Sequence, residues 1–119
     1  LYFMQSQIIN KIPILRSLES HITSGPAAMD VIASLRYETG ASAVVLYKDC
    51  LDESFFRLSS KLAGEVLQKF VNYKMRLAIV GDFSHYTSKP LRDFICESNK
   101  GSQVGFWPTE EEALAWLNR

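Results

Sequence analysis

Two short apolar runs and three amphipathic stripes dominate the pattern along the chain. Residues 41–47 (ASAVVLY) and 77–80 (LAIV) are nearly unbroken apolar segments, the look of strands buried on both faces. Elsewhere the apolar positions recur at helical spacing. Ala28, Val31, Ile32 and Leu35 follow a start signal at Thr23-Ser24-Gly25-Pro26 and precede a stop at Gly40. Leu62, Ala63, Val66, Leu67 and Phe70 make the clearest stripe. Lys69, Lys74 and Arg76 gather at its end, where a helix dipole favours cations. Ser88, with Pro90 just inside, starts a third helix whose core face is Leu91, Phe94 and Ile95 and whose end is Asn99-Lys100-Gly101. Residues 103–107 read as a last strand. Thr109 and Glu112 then form a capping box, with Glu110 and Glu111 in the first turn, before Ala113, Trp116 and Leu117.

The remaining segments are less regular. Residues 8–18 are rich in Ile and Leu around Pro13 and predict one strand or a hairpin near the sheet edge, because proline cannot donate to a ladder. Residues 49–53 form a polar break, and Phe55, Phe56 and Leu58 a short turn or helix entry. The order is β(β)-α-β-α-β-α-β-α. Such alternation predicts parallel neighbours with right-handed crossovers. The expected fold is α/β: a single mixed sheet of mostly parallel strands packed by four helices. There is no repeat and no linker, so residues 4–119 read as one domain. Residues 1–3 (LYF) look like the remnant of a protease-cleavable tag and are set aside.

Composition narrows the classes. The 119 residues are 47% hydrophobic, enough for one core. Thirteen Lys and Arg balance thirteen Asp and Glu, which argues against binding nucleic acid through bulk charge. No apolar run approaches the roughly 20 residues that span a bilayer. Nothing reads as a signal peptide, and Cys50 and Cys96 are too few for a disulfide scaffold. The expectation is a cytoplasmic protein with no membrane or nucleic-acid partner.

No complete catalytic motif is present. A P-loop and a dinucleotide fingerprint are both missing. His21 and His85 have no metal-ligand spacing with either cysteine, so no metal or cofactor is expected. The acidic stretch after Cys50 raises its pKa rather than activating it, and Cys96 beside Ile95 reads as half-buried packing. Asp49 and Asp82 each follow a buried strand at its C-terminal end, where open α/β sheets bind ligands. Tyr47, Lys48, Ser84, His85, Tyr86 and Lys89 could share that rim. The ordinary use of Gly81-Asp82 is turn chemistry. Ser59 and Ser60 stand near a helix start, where serine most often caps.

Five segments carry a resemblance: residues 55–58 (FFRL), 63–70 (AGEVLQKF), 77–84 (LAIVGDFS), 91–95 (LRDFI) and 97–101 (ESNKG). Across residues 43–117 they resemble the bacterial domain-of-unknown-function family 4180. Such proteins usually open with a β-hairpin carrying a glycine turn, which this chain lacks. More distantly the pattern resembles the STAS-like group that includes anti-sigma-factor antagonists. That resemblance implies a STAS-like fold and a regulatory role. It also implies a phosphoacceptor at the helix start, with Ser60 the better match and Ser59 beside it, although the Asp-Ser-Ser-Gly-like string of that group is absent. The leading expectation is a non-enzymatic protein-interaction module that meets a protein partner through residues 47–60 and the 82–89 loop; a homodimer is a separate expectation. The second is a small-ligand-binding protein or minor enzyme at the Asp49 and Asp82 rim.

Overall fold

A computed structural model describes residues 3–18 and 20–119. Of the expected tag remnant, Leu1 and Tyr2 lie outside the described residues, and Phe3 belongs to the first strand. Strands β1 (Phe3–Ile9) and β2 (Ile12–Leu18) are followed in strict alternation by α1 (Gly25–Thr39), β3 (Ala43–Tyr47), α2 (Leu62–Asn72), β4 (Arg76–Val80), α3 (Lys89–Lys100), β5 (Val104–Trp107) and α4 (Glu110–Leu117). The sheet runs in sequence order, β1-β2-β3-β4-β5. Only β1–β2 is antiparallel, and the other three pairs are parallel. This is the single mixed, mostly parallel sheet with four helices that the alternation predicts.

The N-terminal segment is a hairpin. Its two-residue turn has Asn10 and Lys11 both at positive φ, 53° and 67°, so the left-handed turn that glycine usually supplies is made without one. The edge expectation holds for β1, but Pro13 itself sits in β2, which is paired on both sides. The tight loop makes Ile9–Ile12 the hydrogen-bonded closing pair. By alternation Pro13 then turns its missing donor toward β3, where the first ladder pair is Ile14–Val45, one residue on.

The caps of α1, α3 and α4 follow the sequence signals. Ser24 accepts from the Ala27 amide, and Gly40 closes α1 at φ 68°. The Ser88 and Thr109 hydroxyls accept from the amides of Leu91 and Glu112. Arg76 differs from its expected role. It lies in β4 rather than at the end of α2 and bonds the carbonyls of Ser102 and Leu117, so its charge serves the C-terminus of α4.

The two faces of the sheet are covered unequally. Leu15, Val44, Leu46, Leu77, Ile79 and Phe106 face α1, α2 and α3 in the main core, with Phe55, Val66 and Phe70 among its fully buried members. Ile12, Ile14, Val45, Ala78 and Val80 face the other way, against Ala113, Trp116 and Leu117 of α4. None of the helices is long and apolar enough to cross a membrane, among the described residues.

Candidate functional site

The C-terminal ends of β2, β3 and β4 all emerge on one side of the molecule, followed by irregular connections. After β3 the chain makes three short 3₁₀ turns, at Lys48–Cys50, Glu53–Phe56 and Leu58–Ser60. The connection after β2 docks against them. The Ile22 amide donates to the Cys50 carbonyl at 2.9 Å and the Asp52 amide to Ile22 at 3.0 Å, adding one parallel rung beyond the sheet. Cys50 is fully buried beneath it. Its thiol donates to the Leu15 carbonyl, and burial pushes its pKa up to about 12, with Asp49 adding a little. A thiol this far from ionising is packing, not a nucleophile. Cys96 corrects its expectation: it is exposed on α3 rather than half-buried.

Lys48 joins this segment to the next one. Its ammonium lies 5.2 Å from the ring centres of both Phe56 and Tyr86 and 3.3 Å from the Glu53 carboxylate. The Tyr86 hydroxyl donates to the other Glu53 oxygen at 2.8 Å. Phe56 and Tyr86 stack at 5.2 Å, and Phe83 packs on Phe56 at 5.8 Å. Burial alone would lower the Lys48 pKa, but the bonds to Tyr86 and Glu53 outweigh it and hold the ammonium above its ordinary value. Burial likewise pushes the Glu53 carboxyl up, and the same bonds bring it below its usual range. Gly81 is where β4 meets this cluster. A side chain there would place its Cβ 2.7 Å from the Lys48 Cβ, so only glycine allows the approach.

The remaining rim carboxylates hold their own turns. Asp82 accepts from the Ser84 amide and hydroxyl at 2.9 and 2.6 Å, and Asp52 from Ser54 at 3.1 and 2.5 Å. Those bonds keep both carboxyls below their ordinary pKa. Asp49 is exposed. An open hollow of about 270 Å³ lies between Tyr47, Lys48 and Asp49 on one side and Gly81, Asp82 and His85 on the other. Another of about 560 Å³ adjoins it, bordered by His21, Lys48, Asp49, Asp52 and Glu53. Among the described residues no three His, Cys, Asp or Glu side chains come together as a metal set.

The structure thus brings Tyr47, Lys48, Asp49, Asp82 and His85 to one hollow and leaves Ser84, Tyr86 and Lys89 of the expected rim outside its lining. Lys89 is in the first turn of α3, paired with Asp93 at 2.7 Å. Tyr47 lends its side to the hollow, but its hydroxyl donates to Glu110 of α4, which also takes a two-oxygen salt bridge from Arg16 at 2.7 and 3.0 Å. Ser60 is half-buried. Its hydroxyl donates to the Ser54 carbonyl at 2.6 Å and accepts from the Leu62 amide at 3.2 Å, so it ties the 3₁₀ turns to the start of α2. Ser59 is exposed. Sequence reasoning missed the joining of Lys48, Glu53, Phe56 and Tyr86. Its one legible signal was aromatic density in two consecutive β–α connections.

No curated protein matches the chain. Among solved structures, a candidate anti-sigma factor antagonist from Thermotoga maritima is similar over 97% of this chain and 94% of its own, at 15% identity and a TM-score of 0.48. The family described as Domain of unknown function (DUF4180) matches residues 9–117, reaching back through the hairpin turn well beyond the motifs at residues 55–101. The chain belongs to that family.

Proposed function

We propose that this chain is a non-enzymatic recognition module that binds a protein partner through the sheet end built by residues 47–60 and 82–89. The observation that carries this reading is the Lys48–Glu53–Tyr86–Phe56 cluster, which locks two connections into one surface before any partner arrives. A preformed surface avoids the cost of ordering loops on binding. The rim carboxylates support recognition over acid–base chemistry, because Asp52 and Asp82 hold turns and Glu53 is neutralised by Lys48. Phosphate on Ser60 would remove the hydroxyl proton and with it the bond to the Ser54 carbonyl, so a gate there would act by releasing the 3₁₀ turns from the start of α2.

A photo-crosslinking residue placed at Ser84 in the native host tests the reading. It should give a discrete protein adduct that is lost when Tyr86→Ala uncouples the two connections. The same residue at Glu111, on the far helix, should give none. Equal adducts from both positions would reject the surface.

A second reading has its own observation, the hollow shared by Asp49, Asp82 and His85. It takes a small ligand instead. Recovery of a small molecule with the purified protein, reduced by Asp82→Asn and without a protein adduct at Ser84, would favour it.

A further inference from the structure

The two edges of the sheet are finished differently. On β5 the residues bonded to β4 are the odd-numbered ones, since Leu77 donates to Gln103 and Gly81 to Trp107. Phe106 therefore turns its amide and carbonyl outward. Both are taken by the Asn99 side chain of α3, which accepts from the amide at 2.6 Å and donates to the carbonyl at 3.0 Å. That edge is closed at its middle. The other edge is β1, which has β2 as its one neighbour in the sheet, and among the described residues no strand pairs with its outer side.

The geometry of that open side follows from the hairpin. Ile9 and Ile12 are the closing pair, so Ile9 turns its backbone groups toward β2, Ile8 away, Gln7 toward and Ser6 away. The irregularity between Gln5 and Ser6 inserts Arg16 on the β2 side, since Gln5 pairs with Ser17 and Ser6 with Leu15, and a second one leaves Met4 unmatched on the β1 side, between Phe3 and Gln5. Alternation along β1 itself is therefore unbroken from Gln5 to Ile9. Ile8 is 57% exposed, an unusual state for a large apolar residue on an edge strand. Next to it a hollow of about 250 Å³, bordered by Ile8, Pro13 and Leu35, opens between the hairpin and α1.

The sequence of this strand is self-complementary. Residues 4–8 read Met-Gln-Ser-Gln-Ile. Laid antiparallel on itself about Ser6, the segment places Gln5 opposite Gln7 on both sides of the axis. Ser6 is an outward-turned position, so two copies of it can exchange both backbone bonds across a twofold axis. An isologous contact needs one patch that complements itself, and an extended strand adding to a sheet edge is a recurring way to make one. We propose that two copies of this chain join edge to edge through β1, antiparallel about a twofold axis at Ser6. The ten strands then form one continuous sheet.

Sedimentation measured at about 1 μM and about 100 μM tests this, because self-association depends on protein concentration. The expected result is a species of twice 13.5 kDa at the higher concentration. Ile8→Pro removes an outward donor without touching the β1–β2 ladder, and it should weaken association at least tenfold while circular dichroism stays unchanged. If that variant does not fold, a charge pair replaces it: Gln5→Glu with Gln7→Glu in one preparation, and Gln5→Lys with Gln7→Lys in another. Each should be monomeric alone, and mixing them should restore the dimer, as the Gln5–Gln7 pairing of a Ser6-centred register requires. A chain beginning at Met4 should behave as the full chain does. A monomer at both concentrations, a dimer indifferent to Ile8→Pro, a mixture that stays monomeric, or a dimer lost on removing residues 1–3 would each overturn the proposal.

Discussion

The two faces of the sheet bury their side chains by different means. On one, three helices and the aromatic 3₁₀ segment pack many large residues together, so that Phe55, Val66, Phe70, Leu77 and Ile79 are each in contact with a shared core. On the other, a single eight-residue helix covers the strands. That helix is pinned at its start by Arg16 and Tyr47 on Glu110, and at its end by Arg76 on the Leu117 carbonyl and over the Trp116 ring. A helix this short is marginal without tertiary contacts. The difference teaches that burial fraction alone does not measure how firmly a layer is held. Ile14 and Val45 are as buried as Leu46, but their cover depends on a few bonds and one short helix.

The largest expected effect separates the faces directly. Phe70→Ala should cost about 3–5 kcal/mol and lower the cooperative unfolding of the whole domain. Trp116→Ala removes a comparable side chain, but its cost is limited to the docking of α4. Hydrogen exchange should show residues 110–118 opening while the amides of β3 and β4 keep their protection. Uniform loss of protection in both variants would erase the distinction.

A smaller effect tests the pin. Burial pushes the Glu110 carboxyl up, yet the bonds from Tyr47 and Arg16 outweigh it and leave the group below its ordinary value of 4.5. A carboxylate with a depressed folded pKa stabilises the fold above its unfolded value, and that stabilisation is lost as pH falls through the folded value. Glu110→Gln should therefore cost about 1 kcal/mol near neutral pH, discounted for partial exposure. It should also flatten part of the stability loss below pH 4.5. Melting curves of both proteins across that range check the sign.

The smallest perturbation leaves stability alone and reads the first face. A thiol reagent should label Cys96 at once and Cys50 only at the rate of global unfolding, since Cys50 is fully buried with a pKa near 12. Two fast equivalents would mean that the segment after β3 opens locally.

Much of this architecture was legible because it rests on local rules. Ser24, Ser88 and Thr109 announce helix starts by chemistry that acts over three residues, and residues 41–47 and 77–80 announce buried strands by composition. The hairpin turn was not legible, because Asn10 and Lys11 take the left-handed conformation without the glycine that marks it. The candidate site was legible only in part. Asp49 and Asp82 were placed at the strand ends by topology, but the joining of Lys48 to Tyr86 across 38 residues depends on how two loops fold over Gly81. Glu110 illustrates the same limit. Its place in a first helical turn was plain, whereas its bonds to Arg16 and Tyr47 depend on where α4 lands on the sheet.

Asn99 has a consequence for growth. A sheet with two open edges can add copies without end, which is the geometry of a fibril. Here Phe106 already has its outward amide and carbonyl occupied from within the same chain. Whatever strand comes to rest on β1, the opposite end offers no matching template at its centre. An assembly that grows by edge pairing meets β5 closed at Phe106, and one asparagine on α3 supplies that closure.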